Sequence, residues 1–215
     1  MKKQACVVGI ILVVAAGAAV IYFGDFDGGG LIDTFDNEGR YDSTVLDNMG
    51  VIYSNQSDIA MWNDGYSESN SCPWGFIHNG LDYFFFNNSD VIAAGPGLVE
   101  NIELGYVANG TVYKVAVHIR FNSTLTIEYG FEGFSTDVAV RAQQAAMIDV
   151  EIGDWVAKGD QIGRFNRPTE YDHVHFSVYL NDAICPRLVM GVDDYNEIMS
   201  LIQSFHPTWE LCYLP

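Results

Sequence analysis

Five histidines occur in the 215-residue sequence, and three of them stand where one site could use them. Tyr171-Asp172-His173-Val174-His175-Phe176 reads as a strand, in which successive side chains point to opposite faces. His173 and His175 then share one face while Val174 and Phe176 share the other, so two imidazoles lie side by side above an apolar strand. Earlier in the chain, His78 and Asp82 stand four apart in Ile77-His78-Asn79-Gly80-Leu81-Asp82, a same-face spacing in a strand or a helix, and Gly80 relaxes the backbone between them. Neutral imidazole is the commonest metal ligand and the side chain that titrates near neutral pH. Two histidines and a carboxylate suit a catalytic zinc site whose fourth position is left to water. The plainer alternative is two packed core histidines and an unrelated aspartate.

The elements that must carry these residues read as β. Leu81 to Phe86, Val91 to Ala94, Leu98 to Leu104, Thr111 to Arg120, Thr124 to Tyr129, Ala157 to Arg164 and His173 to Leu180 are strand candidates separated by turn residues. In the fourth of these, Val115, Val117 and Ile119 alternate onto one face, and Asn109-Gly110 just before it signals a hairpin. Many short strands joined by tight turns predict an all-β domain, an antiparallel sandwich or partly open barrel. The clusters Val45-Leu46, Val51-Ile52 and Ala60-Met61-Trp62 add a strand or short helix at its edge. Beyond Pro186 a short C-terminal helix is expected, capped by Asp193-Asp194 and running to about Ser204, with Ile198, Leu201, Ile202 and Phe205 on one stripe. His206 beside Pro207 falls past its end, as a surface or packing residue.

The same residues carry a resemblance. HxxxD followed by HxH in a strand resembles the lysostaphin-like, LytM-type zinc metalloendopeptidases that cut peptide bridges of bacterial cell walls. Val91-Ile-Ala-Ala-Gly-Pro-Gly-Leu-Val99 is similar to that family's hairpin, and Val150-Glu-Ile-Gly-Asp-Trp-Val-Ala-Lys-Gly-Asp-Gln-Ile-Gly163 to its glycine turn. The resemblance runs from about Trp74 to Pro186, just over half the chain. It implies that His78, Asp82 and His175 hold Zn2+ and that His173 is a catalytic base. It also implies a further active-site histidine in a Tyr-x-His segment before the glycine turn. The corresponding stretch is Glu128-Tyr129-Gly130-Phe131-Glu132, which puts Phe131 at the histidine position and implies attenuated activity, with Tyr129 the substitute donor; His118 matches a non-catalytic histidine of the family and reads as packing. The functional expectation is a membrane-anchored, extracytoplasmic zinc metallopeptidase acting on cell-wall bridges or surface proteins. Two other classes stand beside it: a zinc-retaining, non-catalytic module that binds an envelope ligand or partner, and a surface protein in which metal only stiffens the fold.

Composition narrows the partners. Half the residues are apolar (49%), which is globular, while a net charge of −18 and a pI near 4.3 argue against nucleic acid and anionic lipid as binding partners. Met1-Lys2-Lys3-Gln4 precedes an uncharged run from Ala5 to Phe23, close to the roughly 20 residues that span a bilayer, so residues 1–24 read as a membrane anchor with the rest outside. A cleaved signal peptide ending at Ala16-Gly17-Ala18 is the alternative. Residues 25–71 read as an acidic extension in which Asp25 to Asp36 is similar to a calcium loop but has Gly29 where an acid or amide belongs. Residues 72–188 form the peptidase-like domain and 189–215 a helical tail. Cys72, Cys185 and Cys212 allow one disulfide, with the pairing open. Asn55, Asn87, Asn109 and Asn122 begin N-x-S/T sequons, which suit an exported protein.

Overall fold

The computed structural model describes residues 46–107 and 110–215. The expected membrane anchor and the calcium-like loop lie outside the described residues. Among the described residues no helix is long and apolar enough to cross a membrane.

The alternation of the sequence becomes strands: β1 (Ile59–Trp62), β2 (Tyr66–Ser67), β3 (Leu81–Phe85), β4 (Asp90–Ile92), β5 (Gly97–Val107), β6 (Val112–Arg120) and β7 (Leu125–Gly133). After helix α1 (Val138–Ala145) come β8 (Trp155–Val156), β9 (Gln161–Arg164), β10 (His173–Leu180), β11 (Asp182–Ile184), helix α2 (Val192–Phe205) and β12 (Cys212–Tyr213). One antiparallel sheet of eight strands dominates, in the order β1-β3-β10-β7-β6-β5-β8, with β11 also on β10; β4-β9 and β2-β12 form two small pairs. The expectation of a mainly antiparallel β protein therefore holds, with one large sheet where a sandwich of two was an option.

Burial follows the period of two. Val115, Val117 and Ile119 of β6, Ile127, Tyr129 and Phe131 of β7, and Val174, Phe176 and Val178 of β10 are all buried on one face. Each such side chain contributes roughly 1.5–3 kcal/mol on leaving water. The other face carries Lys114, Ala116 and His118, then Glu128, Gly130 and Glu132, then His173, His175 and Ser177, in cross-strand register. β5 and β6 pair to the end of the hairpin, Val107 opposite Val112, and Gly110 supplies a positive φ of 81°.

The edge strand expected from the short apolar clusters is present: β1 borders the main sheet, and Leu46, Met49, Ile52, Tyr53 and Trp62 join the core. Helix α1 was not expected; Asp137 caps it by accepting the N–H of Ala139, and Gln144 anchors it through Arg164 and Asn166. Asp193 and Asp194 do not cap α2, whose N-cap is Gly191; they lie in its first turn, where a carboxylate suits the helix dipole, and Asp194 pairs with Lys158 at 2.7 Å. As expected, Ile198, Leu201 and Ile202 are buried beneath α2.

A disulfide joins Cys185 to Cys212, leaving Cys72 as a free thiol. β12 in turn pairs in parallel with β2, Cys212 opposite Tyr66. His206 stacks on Trp209 and bonds the Trp62 carbonyl, a packing role.

Candidate metal centre

β3 and β10 are neighbours, and their register sets His175 directly opposite Asp82. The two side chains therefore project from the same face at cross-strand distance, with His175 Nδ1 2.8 Å from Asp82 Oδ1. His173, two positions along β10, brings Nε2 to 3.6 Å from the same oxygen. The third histidine arrives on a separate segment. Ser67 and His78 exchange backbone hydrogen bonds of 2.8 and 3.0 Å, which holds His78 against β2 with its Nε2 3.4 Å from Asp82 Oδ1.

Each ring is fixed by its other nitrogen. His78 Nδ1–H donates to the Gly65 carbonyl at 2.8 Å, and His173 Nδ1–H donates to the Tyr171 carbonyl at 2.9 Å. Both rings consequently turn Nε2 toward Asp82. His175 Nε2 meets the Ser177 hydroxyl at 3.0 Å; since a hydroxyl both donates and accepts, His175 is free to present either tautomer at Nδ1. Gly80 makes the approach possible, because a Cβ there would fall 2.6 Å from His175 Nε2 and from Ser177 Oγ.

The donors of His78, Asp82 and His175 lie within 4.8 Å of one another, and all three residues are buried or nearly so. Lone pairs of neutral imidazoles aimed at a carboxylate oxygen repel it unless a proton or a cation stands between them. Two imidazoles, each oriented by an outer hydrogen bond, and one carboxylate are the donor chemistry of a catalytic zinc site, so these residues fit that metal. The electrostatics agree. Burial alone would lower the pKa of His78, but the hydrogen bond and charge of Asp82 raise it to about 9. Burial works to raise that of Asp82, and the facing charge of His173 with the hydrogen bonds of His175 and His78 holds it far below the ordinary carboxylate range.

The structure thus brings together all four residues singled out in the sequence. It moves Phe131 elsewhere. Phe131 is opposite Val174, fully buried and 6.4 Å from the Phe165 ring, on the far side of the sheet from the histidines. Tyr129 lies on that same core face, its oxygen accepting the Ala94 N–H at 2.7 Å, so it is no substitute donor. The residues of β7 that do face the site are Gly130, opposite His175, and Glu132, opposite His173 with its Oε2 3.8 Å from Nε2. His118 belongs to this face as well, opposite Glu128 and 3.9 Å from its carboxylate. The alternation of Ile127, Tyr129 and Phe131 in β7, and of Val115, Val117 and Ile119 in β6, was the available signal for these placements.

Asp64 was not foreseen at all. It is buried, its carbonyl accepts the Asp82 N–H at 2.9 Å, and burial followed by the charge of Asp82 raises the pKa of its carboxyl. No sequence spacing marks it, because it reaches the site from the loop between β1 and β2.

No protein-family model matches the chain, and no curated protein matches it. Solved structures do resemble it, and they are peptidases of the M23 and lysostaphin kind at low sequence identity. A zinc-containing peptidase from Vibrio cholerae is 19% identical with a TM-score of 0.46, over 70% of this chain and 41% of that one. Csd3 of Helicobacter pylori is 24% identical with a TM-score of 0.45, over 71% of this chain and 35% of the other. The lysostaphin catalytic domain of Staphylococcus simulans is 20% identical with a TM-score of 0.40, over 61% of this chain and 91% of that domain. The chain therefore spans less than half the length of the first two.

Proposed function

We propose that this chain is a zinc metallopeptidase of the cell envelope, with His78, Asp82 and His175 holding the metal and His173 moving a proton. One observation carries the reading: three imidazole nitrogens, each backed by an outer hydrogen bond, converge on a single oxygen of buried Asp82. Zinc bound there would supply a Lewis acid for the scissile carbonyl and bring a water within reach of deprotonation near neutral pH. The chain's own part is to hold and to transfer. Asp82 is gripped by three rings; Ser177 and Gly65 orient His175 and His78. His173, whose Nδ1–H is committed to the Tyr171 carbonyl, keeps Nε2 as the atom that takes a proton and returns it to the leaving amine. Attenuation through Phe131 forms no part of this proposal, since Phe131 does not face the site.

We further propose that the domain lies outside the membrane, anchored by the run Ala5 to Phe23 behind Lys2 and Lys3. The Cys185–Cys212 disulfide supports an oxidising compartment, and a cell-wall peptide or surface protein is the substrate class such a location offers.

The test is metal analysis and peptide hydrolysis on the purified full-length protein. One zinc per chain and hydrolysis stopped by chelation are expected, with metal lost in His175→Ala and metal kept but hydrolysis lost in His173→Ala. A protein that takes up no zinc would refute the site; one that takes up zinc but cleaves no peptide would be a binding module.

A further inference from the structure

Two apolar rims flank the metal residues. On the β10 side, the rings of Phe134 and Tyr171 meet edge to face at 6.2 Å, and Phe134 lies 6.0 Å from the His173 ring. Phe84, buried, stands 5.0 Å from the same histidine and continues this wall inward. On the β2 side, Phe76 meets the His78 ring edge to face at 6.0 Å, with Ile77 next to it. The outer members are left in water: Phe134 is 45% exposed, Tyr171 62%, Phe76 49% and Ile77 69%. Single exposed apolar residues are ordinary, but several grouped round one site mark a surface that something covers.

The rims are built. Asp172 is fully buried, and its carboxylate accepts the Phe134 N–H at 2.8 Å through one oxygen and the Thr169 N–H at 2.8 Å through the other, with the Thr169 hydroxyl at 2.7 Å. That one side chain fastens the loop after β7 to the loop before β10, so Phe134 and Tyr171 are presented together. Across the site, the Phe76 carbonyl accepts the Ser67 hydroxyl at 2.8 Å, in the same segment that fixes His78. A carboxylate taken out of water to hold two exposed aromatic rings beside His173 is a device for presenting those rings.

We propose that the substrate is a peptide with a bulky apolar or aromatic side chain next to the bond that is cut, and that Phe134 and Tyr171, with Phe76 opposite, determine this specificity. The inference rests on the metallopeptidase reading. An oligoglycine stretch has no side chain to cover these rings. A Phe or Leu side chain laid on them is worth roughly ten- to a hundredfold in affinity, the yield of burying one such group.

The experiment compares fluorophore-labelled tetraglycine with the same peptide carrying one Phe at each position in turn. Binding to the full-length protein is read by anisotropy after zinc is removed with a chelator, and cleavage is then read in the zinc-loaded protein. The best Phe peptide should bind at least tenfold more tightly than tetraglycine. Phe134→Ala/Tyr171→Ala should erase that preference while still taking up one zinc, whereas Leu188→Ala, an exposed residue between β11 and α2, should not alter it. Equal binding of both peptides, no measurable binding of any Phe peptide, or a preference that survives the double substitution would overturn the proposal. Zinc-dependent cleavage of tetraglycine as fast as any Phe peptide would overturn it too while leaving the metallopeptidase reading intact. A preference for Phe in binding with no cleavage of any peptide would overturn the metallopeptidase reading, and with it the claim about the bond that is cut.

Discussion

The carbonyl oxygen of Gly65 lies 2.8 Å from Nδ1 of His78 and settles which nitrogen of that ring faces Asp82. Gly65 is itself held from the far end of the chain. Tyr66 N–H donates to the Leu211 carbonyl at 3.0 Å, Glu68 N–H to that of Tyr213 at 3.0 Å, and the Cys185–Cys212 disulfide ties this strap to β11 beside β10. A covalent link therefore joins the strand of His173 and His175 to the bracket of His78. Replacing Cys185 and Cys212 together by Ser should weaken zinc binding about tenfold, the scale of losing an outer-sphere partner. Competition against a chromophoric chelator measures this. A core substitution of equal thermal effect, such as Val117→Ala, should leave the affinity where it was, and an unchanged affinity in the Ser pair would break the argument.

Gly80 is indispensable in the same region. A methyl there would strike His175 Nε2, Ser177 Oγ and the Phe176 carbonyl, each at 2.6 Å. Gly80→Ala should cost about 1–3 kcal/mol in overpacking and displace His175. Denaturant unfolding and zinc titration would both report it, and full zinc binding at unchanged stability would contradict the geometry.

Phe131→His, which the resemblance to a histidine-bearing family would suggest as a repair, should not raise activity. The new imidazole would point into the core beside Val174 and Phe165, where an unpaired polar group costs roughly 1–3 kcal/mol on top of the packing lost. A lower melting temperature with no gain in peptide hydrolysis is expected. A faster enzyme would mean that β7 presents its other face to the site.

His78 sets a pH dependence on the metal-free protein. Its pKa is raised on folding from 6.5 to about 9. A group raised in this way contributes stability that is complete below about pH 6.5 and is lost as pH climbs through about 9. Thermal melts in the presence of chelator should therefore decline across that window, and saturating zinc should remove the decline because the cation takes the proton's place. A flat profile without metal would show that Asp82 does not hold the proton on His78.

Much of this centre was readable from residue types alone. The HxH of β10 and the HxxxD leading into β3 bring four side chains to one place because β-strand alternation and a single register, His175 opposite Asp82, are enough to join them. The face of β7 was equally legible from Ile127, Tyr129 and Phe131, yet a family pattern drew the reading to Phe131 and away from Gly130 and Glu132. Asp64 and the Asp172 latch were not legible, since each depends on where a loop returns in space. Helix α1 was missed for a related reason: its eight residues are too short and too weakly patterned to stand out, and buried Gln144 secures them through contacts distant in sequence.

The parallel pairing of Tyr66 with Cys212 has a consequence for biosynthesis. As the chain emerges from the ribosome, β3 becomes available long before β10, and β10 before the strap that brackets His78. Long-range pairings of this kind form late, after the loop they close has been ordered. The nascent protein would thus hold Asp82, His173 and His175 in place before His78 is fixed, and its metal residues would be complete only once Cys212 has found Cys185. Under the metallopeptidase proposal, a half-made chain would carry three of its four site residues in register and no finished centre.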